Sequence, residues 1–265
     1  MPFEADVAIV GAGAAGLSAA RLLAHHRLSC VIVEGSTLIG GRLRTVRRPG
    51  WQMPIELGAE FVHGRPAPTL ALGHGAIELV HVPEQRVRVG ARLERMPDTW
   101  QRFAAALSGA LKAPPDQSVA EFLRRARLPR DQDDLVRLIV QGYHAAPLDD
   151  VAARPIAEDA AHTAAGFEQF RTARGYDRVL SSLEHGLSAD AVRLQLGRRV
   201  THVGWSPGEV TLQTTGSEGT ARLSAKRCLV TASLGVLQTL ASEGGILFEP
   251  EPPAFRRDLS QLGMG

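Results

Sequence analysis

Asp6–Arg42 reads DVAIVGAGAAGLSAARLLAHHRLSCVIVEGSTLIGGR, and the reading of this stretch decides the fold. Val7–Val10 is a short apolar run that stops at a glycine, the pattern of a strand buried on both faces. Gly11-Ala12-Gly13-Ala14-Ala15-Gly16 follows at once, and then Leu17–His25, rich in the helix formers alanine and leucine. Cys30–Val33 gives a second apolar strand, closed by Glu34. The stretch is therefore a βαβ unit with a G-x-G-x-x-G turn. Gly11 permits the tight turn, Gly13 lets backbone N–H groups approach a pyrophosphate, and Gly16 lets the helix pack close to the sheet. An anion is favoured at the helix N-terminus by unpaired N–H groups and the macrodipole. Glu34 lies where an acid accepts hydrogen bonds from ribose hydroxyls, and its charge repels a 2′-phosphate, which argues against NADP. The turn by itself does not separate NAD from FAD.

The residues after Glu34 do. Gly35-Ser36-Thr37-Leu38-Ile39-Gly40-Gly41-Arg42 adds a second flexible glycine pair and a fixed positive charge beside the same pyrophosphate. The segment resembles E-A-x-x-x-x-G-G-R of the flavin-containing amine oxidase family, the monoamine and polyamine oxidases and their bacterial relatives. The match holds at Glu34, Gly40, Gly41 and Arg42; Gly35 stands for the alanine, and Ser36 and Leu38 stand where many members carry arginines. Gly58-Ala59-Glu60-Phe61-Val62-His63-Gly64 resembles the family's G-A-x-W/F-I/V-H-G segment, which runs beside the flavin ring. There Gly58 and Ala59 are small enough for a flat ring, and Phe61 and His63 share one side of an extended chain.

The resemblance implies an α/β fold: a Rossmann-like FAD-binding domain of the glutathione-reductase type with an inserted, mostly helical substrate subdomain. It divides the chain into 1–70 and 169–242 for the FAD-binding domain, 71–168 for the insert, and 243–265 for the start of a substrate-domain sheet. Gly175-Tyr176-Asp177-Arg178-Val179-Leu180 resembles the family's G-G-Y-x-x-L helix start, and Ala232-Ser233-Leu234-Gly235-Val236-Leu237 its V-P-L-G-V-L. FAD is the implied cofactor. The implied contacts are Gly11, Gly13, Ala14, Ala15, Gly16, Glu34, Gly40, Gly41, Arg42, Gly58, Ala59, Glu60 and Phe61, with Val200 packing on the adenine. His63 inherits the role of a histidine that faces the substrate, and Glu60 is expected to reach the flavin or the amine site. The implied reaction oxidises a polyamine or monoamine to an imine, with hydride transfer to flavin N5 and reoxidation by O2 to H2O2. Family members continue beyond residue 265, so the C-terminal part of the fold, with a lysine near flavin N5 and the aromatic walls of the amine site, is expected to be absent. Three other readings stand beside this one: an NAD-dependent dehydrogenase, which Gly40-Gly41-Arg42 argues against, a catalytically inactive FAD-binding fragment, and a carotenoid desaturase or protoporphyrinogen oxidase type of FAD enzyme. His63 and its surrounding segment argue against the last.

Composition narrows the partners. The chain has 265 residues, 44% hydrophobic and 22% charged, with a net charge of +2, which is too small to point to nucleic acid or an anionic membrane. No apolar run approaches the ~20 residues of a membrane span. A first strand at Asp6 or Val7 leaves no room for a signal peptide, and Cys30 and Cys228, each inside a predicted buried strand, suit a reducing cytoplasm. His74, His81, His144 and His162 share no metal-ligand spacing, so no metal is expected.

Secondary structure follows from pattern. Residues 65–165 read as helices: one capped by Asp98 with Trp100, Phe103, Leu107 and Leu111 on a stripe, one opened by the capping box Ser118–Glu121 with Phe122, Leu123 and Ala126 inward, and one over Asp131–Gly142 with Leu135, Leu138 and Ile139 inward. Beyond them, Val192–Leu196, Arg199–Trp205, Glu209–Thr214, Thr220–Leu223 and Ala225–Thr231 read as strands.

Overall fold

The structure is a computed structural model, which describes residues 3–63, 67–72, 77–82, 86–89, 92–95, 99–115, 117–164 and 169–263. The chain divides into two compact units, one made of Met1–Val80 with Arg171–Gln261 and the other of His81–Phe170 with Leu262–Gly265.

The first unit is built on a seven-stranded sheet. Its strands are β1 (Ala5–Val10), β2 (Cys30–Val33), β3 (Val192–Gln195), β4 (Arg198–Ser206), β5 (Glu209–Gly216), β6 (Gly219–Val230) and β7 (Leu247–Glu249), in the spatial order β3-β2-β1-β6-β5-β4-β7. Helix α1 (Ala14–His25) crosses from β1 to β2, which pair in parallel with Val7 opposite Cys30 and Val10 opposite Val33. Side chains alternate across a strand, so β1 feeds two cores. Val7 and Ile9 point to the face that packs α1 through Leu17 and Ala20, together with Val179, Leu180 and Leu183 of the helix Asp177–His185. Ala8 and Val10 point to the other face, against Val200, Val203, Leu212 and Leu223. Fully burying Ile9, Leu17 or Ile32 contributes about 1.5–3 kcal/mol each.

The sheet departs from the sequence reading in two places. Thr220–Leu223 and Ala225–Thr231 were expected as separate strands; β6 runs unbroken through both. No glycine or proline interrupts it between Thr220 and Val230, so nothing stops the ladder. Its N-terminal part pairs antiparallel with β5, and its C-terminal part pairs in parallel with β1, Val10 lying opposite Val230. Leu247–Glu249, expected to lead into a separate sheet, instead pairs in parallel with β4 at the edge of this one. Cys30 is buried as expected, whereas Cys228 is half-buried. Burial still lifts the Cys228 thiol to about 12.

The second unit contains the helices Thr99–Leu107, Val119–Ala126, Arg130–Gly142 and Ala153–Ala164 around a core of Phe103, Leu107, Val136, Val140, Ile156 and Ala160. The capping box is present: Ser118 Oγ accepts from the Glu121 N–H at 3.1 Å, and Glu121 accepts from the Ser118 N–H at 3.4 Å. Asp98 lies outside the described residues. Leu111, Ala126 and Leu138 face outward, against expectation. Leu111 falls in the tighter 3-10 turn Ser108–Lys112, where the helical stripe loses its phase, and Val136 and Val140 take the inward positions beside Leu135 and Ile139. Within this mostly helical stretch, Arg86–Val89 and Arg92–Arg95, for which no strand was expected, pair antiparallel. There Val87, Val89 and Leu93 alternate with charged residues, a period of two that marks strands.

One surface cluster ties the start of β1 to β6. Asp6 accepts hydrogen bonds from Lys226 Nζ at 2.7 Å and from the N–H and Oγ of Ser29 at 2.9 and 2.8 Å. The Lys226 contact first, and the Ser29 bonds next, hold the Asp6 carboxyl far below the usual carboxylate range. A depressed folded-state pKa stabilises the fold above the unfolded value of about 3.9 and loses that contribution as pH falls below it. The melting temperature of Asp6→Asn is therefore expected to lie below wild type at pH 6 and to converge with it between pH 4 and 2, as read by a thermal melt series across that range.

Candidate cofactor site

Where β1 ends, the backbone closes on itself. Gly11 takes φ +106° and donates its N–H to Val33 O at 2.9 Å. A Cβ at Gly16 would lie 2.0 Å from Gly11 O, so α1 rests on the turn with no space for a side chain. Thr231, just past β6, locks the same corner: its hydroxyl donates to Val10 O at 2.9 Å. Helix α1 starts at Ala14 with Gly13 extended before it, no side-chain cap and no acid in its first turn. Its first N–H groups are left for a ligand, and an anion suits them.

The second glycine segment docks on the first. Gly13 and Gly40 form a parallel bridge, Gly40 donates its N–H to Ala12 O at 2.9 Å, and a Cβ at Gly41 would lie 3.6 Å from Gly13 Cα. Gly40 and Gly41 both take positive φ, +115° and +57°, which explains the choice of glycine. Arg42 follows, and its guanidinium makes no ion pair or hydrogen bond among the described residues. Glu34 sits at the end of β2. Its Oε2 accepts from the Ala12 N–H at 2.8 Å and its Oε1 from the Ser36 N–H at 2.7 Å. Each oxygen keeps a lone pair for a further donor.

These residues line one cleft of about 830 Å³, in the size range of cofactor sites. Of the residues expected at the cofactor, the structure brings Gly11, Gly13, Ala14, Ala15, Glu34, Gly40, Gly41, Arg42 and Val200 to its walls. Gly16 lies behind the wall as a packing residue. Gly58, Ala59, Glu60, Phe61 and His63 do not line it. The Gly58 segment runs along the back of Arg42: a Cβ at Gly58 would lie 1.9 Å from Arg42 O, and Ala59 donates its N–H to that oxygen at 3.0 Å. Glu60 pairs with Arg171 at 2.8 Å, and the Arg171 guanidinium lies 4.9 Å from the Phe61 ring centre. His63 is exposed, with its ring 6.4 Å from that of Phe61 on the same side of the strand Phe61–His63.

The sequence reading missed the far wall: Arg199, the Thr231-Ala232-Ser233 turn, Thr239 and Glu243-Gly244-Gly245. Gly244 takes φ +91°, a position that glycine favours, and its pairing with Gly245 was the available signal. Among the described residues, no group of three or more His, Cys, Asp or Glu gathers as a metal site requires. No helix among them is long and apolar enough to cross a membrane.

A cleft of this size with a bare helix N-terminus, an arginine without a partner among the described residues and an acid held by two backbone donors defines a nucleotide-cofactor protein of the doubly wound α/β class. Residues 14–265 match the family described as flavin containing amine oxidoreductase, and the chain belongs to that family. It is 25% identical to polyamine oxidase 4 of Oryza sativa subsp. japonica over 98% of this chain and 57% of that one. It is 28% identical to lysine-specific histone demethylase 1 homolog 2 of the same plant, over 98% of this chain and 36% of that one. The chain thus spans less than two thirds of the length of these relatives. Among solved structures, cyclohexylamine oxidase from Brevibacterium oxydans IH-35A superposes with a TM-score of 0.75 at 19% identity, over 97% of this chain and 63% of that one, and shares the fold. FAD is the cofactor that the family implies, and the cleft fits its adenosine diphosphate half. The glycine cradle leaves room for a pyrophosphate, and its donors and Arg42 complement the charge.

The cradle separates fold from binding at two glycines of one motif. A Cβ at Gly13, where φ is −73°, would meet nothing nearer than Gly40 O at 3.9 Å, but it would fill ligand space. Gly13→Ala is expected to keep the wild-type melting temperature while weakening FAD binding by about tenfold or more in a fluorescence titration. Gly16→Ala is expected to lose about 1–3 kcal/mol of stability, read by urea unfolding.

Proposed function

We propose that this chain grips the adenosine diphosphate half of FAD for an amine oxidase acting on a polyamine or monoamine, with O2 as the final electron acceptor. The observation that carries the reading is the joining of two motifs in one cleft: the G-x-G-x-x-G turn and Gly40-Gly41-Arg42 meet through the Gly13–Gly40 bridge, with Glu34 beside them. Helix α1 presents its first N–H groups to the pyrophosphate, Arg42 neutralises it, and Glu34 accepts from the ribose. FAD held by the Gly11 turn, Gly40-Gly41-Arg42 and Glu34 would supply a hydride acceptor for the carbon next to the amine nitrogen and a route for the electrons to O2.

His63 is the candidate for the substrate side. An ammonium has no lone pair to assist imine formation, so a neutral imidazole near the amine would take its proton. Glu60, Phe61 and Arg171 hold the strand that carries His63, through the ion pair and the stacked guanidinium. A second reading, a chain that binds FAD without turning over amines, is favoured by the placement of His63 outside the cleft that Glu34 and Arg42 line.

One experiment separates them. Purified protein supplemented with FAD should show flavin absorbance, and putrescine, spermidine or benzylamine added without oxygen should bleach it. The His63→Asn variant is expected to retain the flavin spectrum and to bleach about 10²-fold more slowly or worse. Flavin absorbance that no amine bleaches leaves the binding-only reading, and a protein that ignores FAD removes both.

A further inference from the structure

The far wall of the cleft carries a cation that the family motifs do not account for. Arg199 lies on β4, immediately before Val200, and lines the cleft with Gly35 and Gly244. Its side chain leaves the backbone beside Gly35, where an added Cβ would meet Arg199 Cβ at 3.8 Å. It ends beside Gly244, where an added Cβ would lie 3.1 Å from Arg199 Nη1. The arm therefore spans the end of the cleft next to Glu34, the acid expected at the ribose. It is bordered at both ends by residues without side chains.

Two acids, Glu34 and Glu243, line the same cleft, yet Arg199 forms no ion pair or hydrogen bond with either, nor with any other described residue. The Glu34 oxygens already accept from the backbone N–H groups of Ala12 and Ser36. By contrast the neighbouring Arg198 is engaged, with Thr214 Oγ1 at 3.2 Å and Glu218 at 3.3 Å. A guanidinium without a protein partner, laid along a glycine-edged cleft, offers a flat cationic face to a flat ring. Arginine stacks on aromatic planes, and the contact strengthens as water is excluded.

We propose that Arg199 is a cofactor-binding residue whose guanidinium stacks on the adenine of bound FAD. The proposal rests on the FAD reading of the cleft and assigns its adenosine end a specific contact. Arg199 supplies a cation to the end of the cleft beside Gly35 from a strand distant in sequence from the glycine motifs.

Calorimetric titration of the flavin-free protein with ADP, FAD and FMN tests it. Arg199→Ala is expected to weaken ADP and FAD by about tenfold, to leave FMN, which lacks the adenosine, unchanged, and to keep the wild-type melting temperature. Arg199→Lys should recover only part of the loss, because an ammonium has charge without a plane. Unchanged ADP affinity in Arg199→Ala overturns the proposal and leaves the cofactor site intact. Full recovery by lysine, or loss of ADP affinity together with thermal stability, also overturns it. Wild-type protein that binds neither ADP nor FAD overturns the cofactor reading and this proposal with it.

Discussion

The close approach of helix α1 to the end of β1 governs the first unit. With 2.0 Å between Gly11 O and the place where a Gly16 Cβ would stand, only hydrogen fits there. That approach sets the direction of α1 and places its uncapped N-terminus at the C-terminal end of β1. It also sets where Ala12 falls, and Ala12 then serves two partners: its N–H goes to Glu34 and its carbonyl oxygen to the N–H of Gly40. One steric constraint thus brings an acid, a glycine pair and an arginine together at the end of β1. Thr231 extends the constraint to β6, since its hydroxyl bonds Val10 O and sits 3.0 Å from the same missing Cβ.

The near wall of the cleft was legible in the sequence because its parts are local. Gly11, Gly13 and Gly16 lie within one turn, and Gly40-Gly41-Arg42 follows Glu34 closely, so spacing carries their geometry. The two-faced burial of β1 and β2 was legible for the same reason, as unbroken apolar runs. The far wall is non-local. Thr231, Gly244 and Arg199 reach the cleft only because β6 pairs with β1 and β4 folds back through β5, and no short pattern in the sequence states those pairings. The continuity of β6 through Ser224 is non-local in the same way. A strand that changes partners from antiparallel β5 to parallel β1 looks like two strands when only its local composition is read.

Misplaced side chains in the helical unit have a different cause. Hydrophobicity alone points Leu111 and Leu138 inward, yet the stripe is fixed by which helical phase the neighbours accept. In Arg130–Gly142 the adjacent pairs Leu135-Val136 and Ile139-Val140 fill the core, which leaves Leu138 on the opposite face. The capping box at Ser118 was read correctly because a cap is satisfied within four residues and needs no partner from elsewhere.

Electrostatics gives the cleft its polarity. Glu34 is held by two backbone donors, and Asp177, in the first turn of its helix, is held by Arg47 at 2.5 Å, so these two acids are pinned by groups of the fold itself. The same region is cross-braced by Glu56, which accepts from the Tyr176 N–H at 2.8 Å and from Thr45 Oγ1 at 2.7 Å. Arg42 and Arg199, in contrast, have no acid of the protein to neutralise them among the described residues. Glu34 and Glu243 line the same cleft, and neither forms an ion pair with these guanidinium groups among the described residues. Both guanidinium groups are thus open to a ligand, and in the proposed reading an adenosine diphosphate group offers a pyrophosphate to Arg42 and an adenine ring to Arg199.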